Sequence, residues 1–135
     1  MSRPIAITQG IAFAFPDVCL TVVGPSTVPI PYPNVAQLAQ AQDVATDLLV
    51  GSSPLPALLV DSSVPTSTGT PPNATQGAVS GKPVMGPCKM IQGSSSVVYG
   101  PDSRGLVRFG DPTQQNDGNS QGVVLGAFPT VLVGD

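Results

Sequence analysis

Short runs in which apolar residues alternate with polar residues or proline recur along the chain, separated by glycine, proline and serine. In the stretch FPDVCLTVVGPSTVPIPYP at 15–33, a Gly-Pro-Ser sequence precedes Val28 and Ile30, which alternate with threonine and proline. Period-two alternation is typical of a strand with one buried face, and Gly with Ser-Pro chemistry is typical of a turn. The pattern predicts an all-β fold of short strands and hairpins.

One segment, NVAQLAQAQDVATDLLVG at 34–51, has a different period. Val35 and Leu38 begin a helical spacing of apolar residues, and Asn34 stands where an N-cap residue would stand. Elsewhere, prolines interrupt nearly every window that is long enough for three helical turns. We therefore predict one short helix, near 35–49.

The arrangement around Cys19 occurs a second time around Cys88. Both copies follow the form Cys-x4-Gly-(Pro/Ser)-Ser-(Ser/Thr)-Val-x-(large apolar), and a weaker third copy lies in the C-terminal stretch GVVLGAFPTVLVGD. The predicted repeat and core positions are Cys19, Gly24, Val28 and Ile30 in the first copy, Cys88, Gly93, Val97 and Tyr99 in the second, and Val131 and Val133 in the third.

Each copy is interpreted as a turn that leads into a strand whose valine is part of the core. Three such units around an axis could each bury one apolar edge against the others, which predicts quasi-three-fold internal repeats. Chance similarity in a composition biased towards serine and valine is the alternative interpretation.

The chain length of 135 residues fits a single domain over 1–135. Residues 61–80, DSSVPTSTGTPPNATQGAVS, are rich in serine, threonine and proline, and we interpret them as a surface loop. The stretch QQNDGNS at 114–120 is interpreted as a second loop.

The composition argues against most catalytic chemistry. The chain contains no His and no Glu, its eight acidic residues are all Asp, and its formal net charge is −3. Neither a Ser-His-Asp nor a Cys-His site can be built from these residues, so we expect a protein that is not an enzyme. Five scattered basic residues in an acidic chain also argue against a nucleic-acid surface.

The N-terminal residues lack a charged leader followed by a long apolar block, and no apolar run approaches the roughly 20 residues of a membrane span. We therefore expect no signal peptide and a cytoplasmic location before assembly into any larger particle.

The two cysteines, Cys19 and Cys88, do not form a CxxC pair. Buried free thiols that pack as small apolar groups are the favoured interpretation. A disulfide between them is one alternative, and a zinc site made by Cys19, Cys88 and other ligands is another. We expect no cofactor.

Several motifs, in the expected order, resemble the PAAR-like domain family. FPDVC…VPIPYPN at 15–34 is similar to the opening of that family, in which a Pro-Asp-x-Cys element precedes a Pro-Tyr-Pro-Asn segment. SGKPVMGPCKMIQGSSSVVYG…LVRFGDPTQQNDGN at 80–119 resembles its central block, and GVVLGAFPTVLV fits its C-terminal strand.

The resemblance implies a small cone-shaped β domain that caps the spike of a contractile injection system, either a type VI secretion system or a phage-tail-like particle. The implied partner is a homotrimeric spike protein with a β-helical tip, with one cap per trimer and any effector cargo as a separate protein. The cap would contact the target membrane only transiently. A small β-rich binding module unrelated to injection is the alternative.

Many members of the family hold zinc near the tip with mainly His ligands. This chain has no His; Cys19 matches the cysteine of the Pro-Asp-x-Cys motif, and a complete zinc site is not implied.

Overall fold

The computed structural model describes residues 2–135 and confirms the all-β prediction: its regular elements are strands and one short 3-10 turn, Leu38–Gln40. The strands are β1 (Arg3–Ile5), β2 (Ile11–Val23), β3 (Ser26–Gln37), β4 (Ala45–Val50), β5 (Leu55–Ala57), β6 (Ser63–Val64), β7 (Ala74–Gly77), β8 (Cys88–Met90), β9 (Val98–Tyr99), β10 (Arg104–Gly105), β11 (Pro112–Gln115), β12 (Ser120–Val124) and β13 (Phe128–Val133).

The main sheet has seven antiparallel strands in the order β3-β2-β12-β11-β8-β6, with β7 pairing with a further part of β2. Three two-stranded sheets complete the fold: β1 with β13, β4 with β5, and β9 with β10. The long β2–β3 hairpin turns at Gly24, whose φ of 58° lies in the left-handed region that glycine adopts without strain.

A β-bulge divides β2 into two parts. Ala14 pairs with Asn34, and the next pair joins Asp17 to Tyr32, so β2 has one more residue than β3 in this interval. The extra residue changes which face of the strand is buried. Ala12 and Ala14 are buried before the bulge, whereas Asp17, Cys19 and Thr21 are buried after it.

Two apolar clusters form the core. The first lies under the main sheet and consists of Ala6, Ala12, Ala36, Leu38, Leu58, Val64, Cys88, Met90, Val107 and Val124. The second lies under the terminal strands and consists of Ile5, Ile7, Ala45, Val50, Ala57, Leu59, Leu106 and Val133. The first cluster includes three alanines, whereas the second consists mainly of isoleucine, leucine and valine.

The predicted helix near 35–49 is wrong. Asn34, predicted as its N-cap, lies in β3, and that strand continues through Gln37 before the single 3-10 turn. Asp43 has a φ of 60°, which is incompatible with a right-handed helix, and β4 follows at Ala45. Pairing with β2 satisfies main-chain groups of this segment that a helix would have satisfied internally.

The segment 61–80, predicted to be a surface loop, contains the two short strands β6 and β7. Its side chains are exposed in the main, but Ser62, Val64, Ser67 and Ala74 are buried. In the predicted loop at 114–120, residues 116–119 form a tight turn, and the stretch also includes the end of β11 at Gln115 and the start of β12 at Ser120.

Candidate functional site

The predicted repeat positions do not share one environment. Cys19, Cys88 and Val133 are buried, whereas Val97 and Val131 are 38% and 39% exposed. The prediction that both of these valines are core residues is wrong. Val97 lies in the loop before β9, and Val131 lies where β13 bows away from β1.

The other predicted positions have intermediate or special roles. Val28 and Ile30 in β3 and Tyr99 in β9 are half-buried, and the Tyr99 hydroxyl bonds Asp47. A Cβ at Gly93 would lie 2.7 Å from the carbonyl oxygen of Leu106, so the residue is needed for close packing. The strands that follow the three predicted turns, β3, β9 and β13, belong to three different sheets.

Both cysteines are free and buried, in unlike surroundings. Burial raises the pKa of the Cys88 thiol to about 12 within the first apolar cluster. Burial, reinforced by the adjacent Asp17 carboxylate, raises the pKa of the Cys19 thiol to about 11. Neither thiol has the lowered pKa of a nucleophilic cysteine.

A zinc ion does not fit these surroundings. Residues 2–135 contain no group of three or more His, Cys, Asp or Glu side chains placed to share an ion. Cys19 faces amide and carboxylate groups, and Cys88 faces apolar side chains. Structural zinc is held by four ligands, so the implied family site has no complete counterpart among the described residues.

The most distinctive feature is a buried carboxylate held by neutral amides, which we call the amide cage. Asp17, the Asp of the Pro-Asp-x-Cys motif, is completely buried. It accepts hydrogen bonds from the side-chain amides of Asn34, at 3.3 Å, and Asn116, at 3.0 and 3.2 Å, and also from that of Asn119. Within residues 2–135, Asp17 forms no salt bridge.

The β11–β12 turn supplies two of the three amides. The main-chain N–H of Asn119 donates to the carbonyl of Asn116, and Asp117 and Gly118 between them have φ values of 56° and 88°. Two central residues with positive φ define a type I′ turn, for which Asp-Gly is a favoured sequence. The turn therefore projects both asparagine amides towards Asp17.

The same side chains tie distant segments together. The side-chain oxygen Oδ1 of Asn116 accepts from the main-chain N–H of Gly86. The side-chain oxygen Oδ1 of Asn119 accepts from the main-chain N–H groups of Val79 and Ser80. Asn34 also donates to Ser67. The cage thus joins β2, β3, the β11–β12 turn and the segment between β6 and β8, and every buried side-chain N or O atom in the described part has a partner.

A second buried carboxylate, Asp111, lies near the chain termini and is held by cations. Arg108 donates to it from Nε at 3.1 Å and Nη2 at 3.2 Å, and Arg3 reaches it from β1. Arg108 also donates to Asp135, at 3.0 Å. We call this group the terminal clasp, because it fastens the first strand and the last residue to the body of the domain.

An apolar row lies on the outer face beside the clasp. Ile5 bridges to Arg108 in an antiparallel pair, so Pro4 lies opposite Phe109, and the N–H of Phe109 donates to the carbonyl of Pro4. On its other side Pro4 pairs with Leu132 of β13. Leu132 is 60% exposed and Phe109 42%. We call Leu132, Pro4 and Phe109 the terminal row.

The strand β13 is irregular beside this row. Ile5 pairs with Phe128 and Pro4 pairs with Leu132, so the register leaves residues 129–131 without a partner on β1. These residues are exposed. This interval of β13 is therefore not covered by β1.

The outer edge of β3 is closed by proline. The N–H of Val22 donates to Asn73 and the carbonyl of Val18 accepts from Ala78, so even-numbered residues of β2 direct their main chain to the β7 side. Odd-numbered residues of β2 then face β3, where their partners are even-numbered. Pro29 and Pro31 fall at the alternate positions, whose N–H groups would have pointed to solvent, and beyond Pro33 the edge is covered by Thr68, which pairs with Val35.

Sequence reasoning missed Asn34, Asn116 and Asn119 as members of a site. The available signal was Asn-Asp-Gly-Asn between two polar strands, which is a hairpin-turn sequence more than a generic loop. Nothing in the sequence links that turn to Asp17, because Asp17 and Asn119 are separated by 102 positions along the chain.

The fold and the site define a class of protein: an all-β domain whose Pro-Asp-x-Cys motif is held in a buried amide cage. A family model for the Toxin PAAR-like domain matches residues 10–122 of the 135-residue chain. The chain belongs to the Toxin PAAR-like domain family, as the resemblance of its motifs indicated. No curated protein and no solved structure matches the chain.

Membership of the family defines a coarse role. PAAR-like domains are spike-associated modules of secretion systems, and the family is structural more than catalytic. They associate in general with spike proteins. Within residues 2–135, no helix is long and apolar enough to cross a membrane.

Proposed function

We propose that the protein caps the trimeric spike of a contractile injection system, either a type VI secretion system or a phage-tail-like particle, and helps the spike to pierce a target envelope. The observation that carries the proposal is the family match over residues 10–122, because PAAR-like domains associate with spike proteins. On this proposal the protein has no catalytic role, resides in the cytoplasm during assembly and leaves with the spike.

The amide cage suits a part that must remain rigid under load. It joins segments from both halves of the chain through hydrogen bonds to one buried carboxylate. Opening any one of these segments would remove a donor from the buried carboxylate, which costs about 1–3 kcal/mol for each lost hydrogen bond. A cap that separates only by breaking this network is suited to leading a spike through an envelope.

The surface formed by the terminal row and the neighbouring part of β13 suits the docking of a spike. The terminal row presents two exposed apolar side chains, Leu132 and Phe109, and residues 129–131 of β13, which have no partner on β1, lie beside them. The end of a β-helix presents unpaired strand edges, and pairing with a further strand is a common way to cover such edges. The proline-closed edge of β3 cannot donate in the same way.

The test is co-purification with the trimeric β-helical spike protein of the same organism, followed by light scattering to obtain the mass of the complex. We expect one cap per three spike chains. A cap that remains monomeric in the presence of that spike would contradict the proposal and favour the alternative of a β-rich binding module unrelated to injection.

Variants locate the docking surface. Leu132→Asp and Phe109→Asp should each weaken spike binding by at least about tenfold, because each places a charge in an apolar interface. Val79→Asp is the matched control, since Val79 is a surface valine, 78% exposed, outside the terminal row. Equal weakening by all three variants, or by none, would exclude the terminal row as the docking surface.

A further inference from the structure

A row of polar side chains crosses the outer face of the main sheet, away from the terminal row. Ser63 of β6 pairs with Lys89 of β8, and Lys89 lies opposite Gln114 of β11. The alternate residues on these strands, such as Val64 and Cys88, are buried on the opposite face. Ser63, Lys89 and Gln114 therefore stand side by side on the outside, with about 5 Å between neighbours.

This row is the floor of a groove with a volume of about 450 Å³. Lys82 and Asp117 line one part of the groove, and Asp61 lines another. Apart from Pro87, the lining residues that carry side chains are polar or charged. The groove thus offers amide, hydroxyl, ammonium and carboxylate groups for hydrogen bonds, beside the carbon atoms of the lysine, glutamine and proline side chains.

The groove also contains both lysines of the chain. The three arginines are engaged in ion pairs and have side chains that are 35%, 20% and 4% exposed, whereas Lys82 and Lys89 are 57% and 54% exposed. Each lysine lies 3.4 Å from an aspartate, Asp117 and Asp61 respectively. That distance exceeds the 2.7–2.9 Å of a strong charge-assisted bond, and exposed pairs contribute little.

We propose that this groove binds an acidic saccharide, a sugar unit that carries a carboxylate or phosphate group. The ligand anion takes the place of Asp61 or Asp117 as the partner of a lysine ammonium. The displaced carboxylate, the Gln114 amide and the Ser63 hydroxyl then bond the sugar hydroxyls. The spacing of about 5 Å between neighbouring side chains on the row matches the width of one sugar ring. This inference does not depend on docking to a spike.

The test uses the full chain and three matched probes, with binding followed by NMR shifts of the Gln114 side-chain amide. Glucuronate carries both a carboxylate and hydroxyl groups, glucose carries only the hydroxyls, and acetate carries only the carboxylate. We expect saturable binding of glucuronate at millimolar concentration, and binding of glucose and acetate weaker by about tenfold or more, because each lacks one set of bonds. Equal binding of acetate and glucuronate, or no binding of glucuronate, would overturn the proposal.

Two variants assign the role of the lysine. Lys89→Gln should weaken glucuronate binding by about tenfold, because a charge-assisted bond is lost, and Lys89→Arg should retain most of it. Unchanged binding to Lys89→Gln would overturn the assignment. Alginate, a polymer of sugar acids, separates the two sources of the ligand: tighter binding than glucuronate indicates a surface polysaccharide, and equal binding per unit indicates a free sugar acid. Both results support an acidic saccharide.

Discussion

Two aspartates are completely buried in this small domain, and they are stabilised in opposite ways. Asp17 lies in the amide cage, where three neutral asparagines donate to it. Asp111 lies in the terminal clasp, where Arg108 and Arg3 neutralise its charge. The first arrangement depends on hydrogen-bond geometry and retains a net negative charge, and the second depends on Coulomb attraction between full charges.

The difference indicates separate roles for the two sites. Hydrogen bonds from neutral amides depend little on salt concentration and strongly on the direction of the donor. The amide cage therefore specifies how the segments are oriented. Ion pairs are stronger when buried but weaken where solvent and salt reach them. The clasp is buried at Arg108 and partly exposed at Arg3, so it fastens the terminal strands with a strength that changes from its inner to its outer side.

The largest expected effect is in the clasp. Asp111→Ala leaves Arg108, whose side chain is only 4% exposed, without its main partner. We expect a loss of about 3–5 kcal/mol in the free energy of unfolding, measured by urea denaturation. The exposed Asp102→Ala is the control, with an expected change within about 0.5 kcal/mol.

The double variant Arg108→Met with Asp111→Leu sharpens this result. Removing both charges leaves neither buried and unpaired, so it should cost less than Asp111→Ala alone. The main-chain N–H of Arg108 also donates to the Asp111 carboxylate, and that of Asp111 donates to the Arg108 carbonyl. A double variant that is less stable than Asp111→Ala would mean that these hydrogen bonds matter more than the balance of charge.

The next effect concerns the cage. Asp17→Asn replaces an acceptor oxygen with an NH₂ group that faces other NH₂ groups, and each donor that loses its acceptor costs about 1–3 kcal/mol. The loss should be nearly independent of salt concentration, unlike that of the clasp variants. Adding Asn119→Asp to this variant restores a carboxylate to the cage and should recover part of the stability. Failure to recover any would indicate that the position of the charge, and not only its presence, is required.

A smaller effect separates the two thiols. Burial raises the pKa of Cys19 to about 11 and of Cys88 to about 12, from 9.0, so the folded state holds these protons more tightly than the unfolded chain. Unfolding then releases protons above pH 9, and stability falls by about 1.4 kcal/mol per pH unit for each thiol, up to about pH 11 for Cys19 and about pH 12 for Cys88. Cys88→Ala should remove one such contribution from the alkaline stability profile.

The comparison of the two aspartates extends to these thiols. The Asp17 carboxylate is one cause of the raised pKa of Cys19, whereas Cys88 has no such neighbour among the causes of its shift. Asp17→Asn should therefore lower the pKa of Cys19 and leave that of Cys88 unchanged, as measured by the pH dependence of alkylation. Equal shifts in both thiols would indicate general loosening of the fold.

The smallest effect is expected at the outer side of the clasp. Arg3 is 35% exposed, and Arg108 still pairs with Asp111 when Arg3 is replaced. Arg3→Gln should cost about 1 kcal/mol or less at low salt, and the difference from the unchanged protein should shrink in high salt. A cost that matches that of Asp111→Ala would show that Arg3, and not Arg108, is the main partner of Asp111.

The all-β class and the family could be recognised from sequence for different reasons. Prolines and β-branched residues disfavour a helix at the position where they stand, so the sequence alone shows where helices are disfavoured. The family motifs are recognisable because they are short and occur in order. The apolar spacing near 35–49 is typical of a helix, but the prediction of a helix was wrong. Asn34 is held in a strand by Asp17 and Gln115, which are distant in sequence.

The amide cage could not be predicted, because its members come together only through the sheet order. Asp17 and Asn119 meet because β2 and β12 are neighbours, and that pairing has no local signature. The prediction that the repeat valines Val97 and Val131 are buried was wrong for a related reason. Val131 belongs to an alternating apolar pattern, but the irregular register of β13 leaves it without a partner on β1, and its side chain is exposed.

The bulge in β2 has a consequence for how this strand can change over evolution. Phe15 and Pro16 are exposed, so their side chains contribute little to the core. Their number, however, decides whether Asp17 faces the cage or the solvent, because a strand alternates with a period of two. A one-residue deletion here would reverse every later side chain of β2. The length of this interval therefore constrains the protein more than the identity of the residues that fill it.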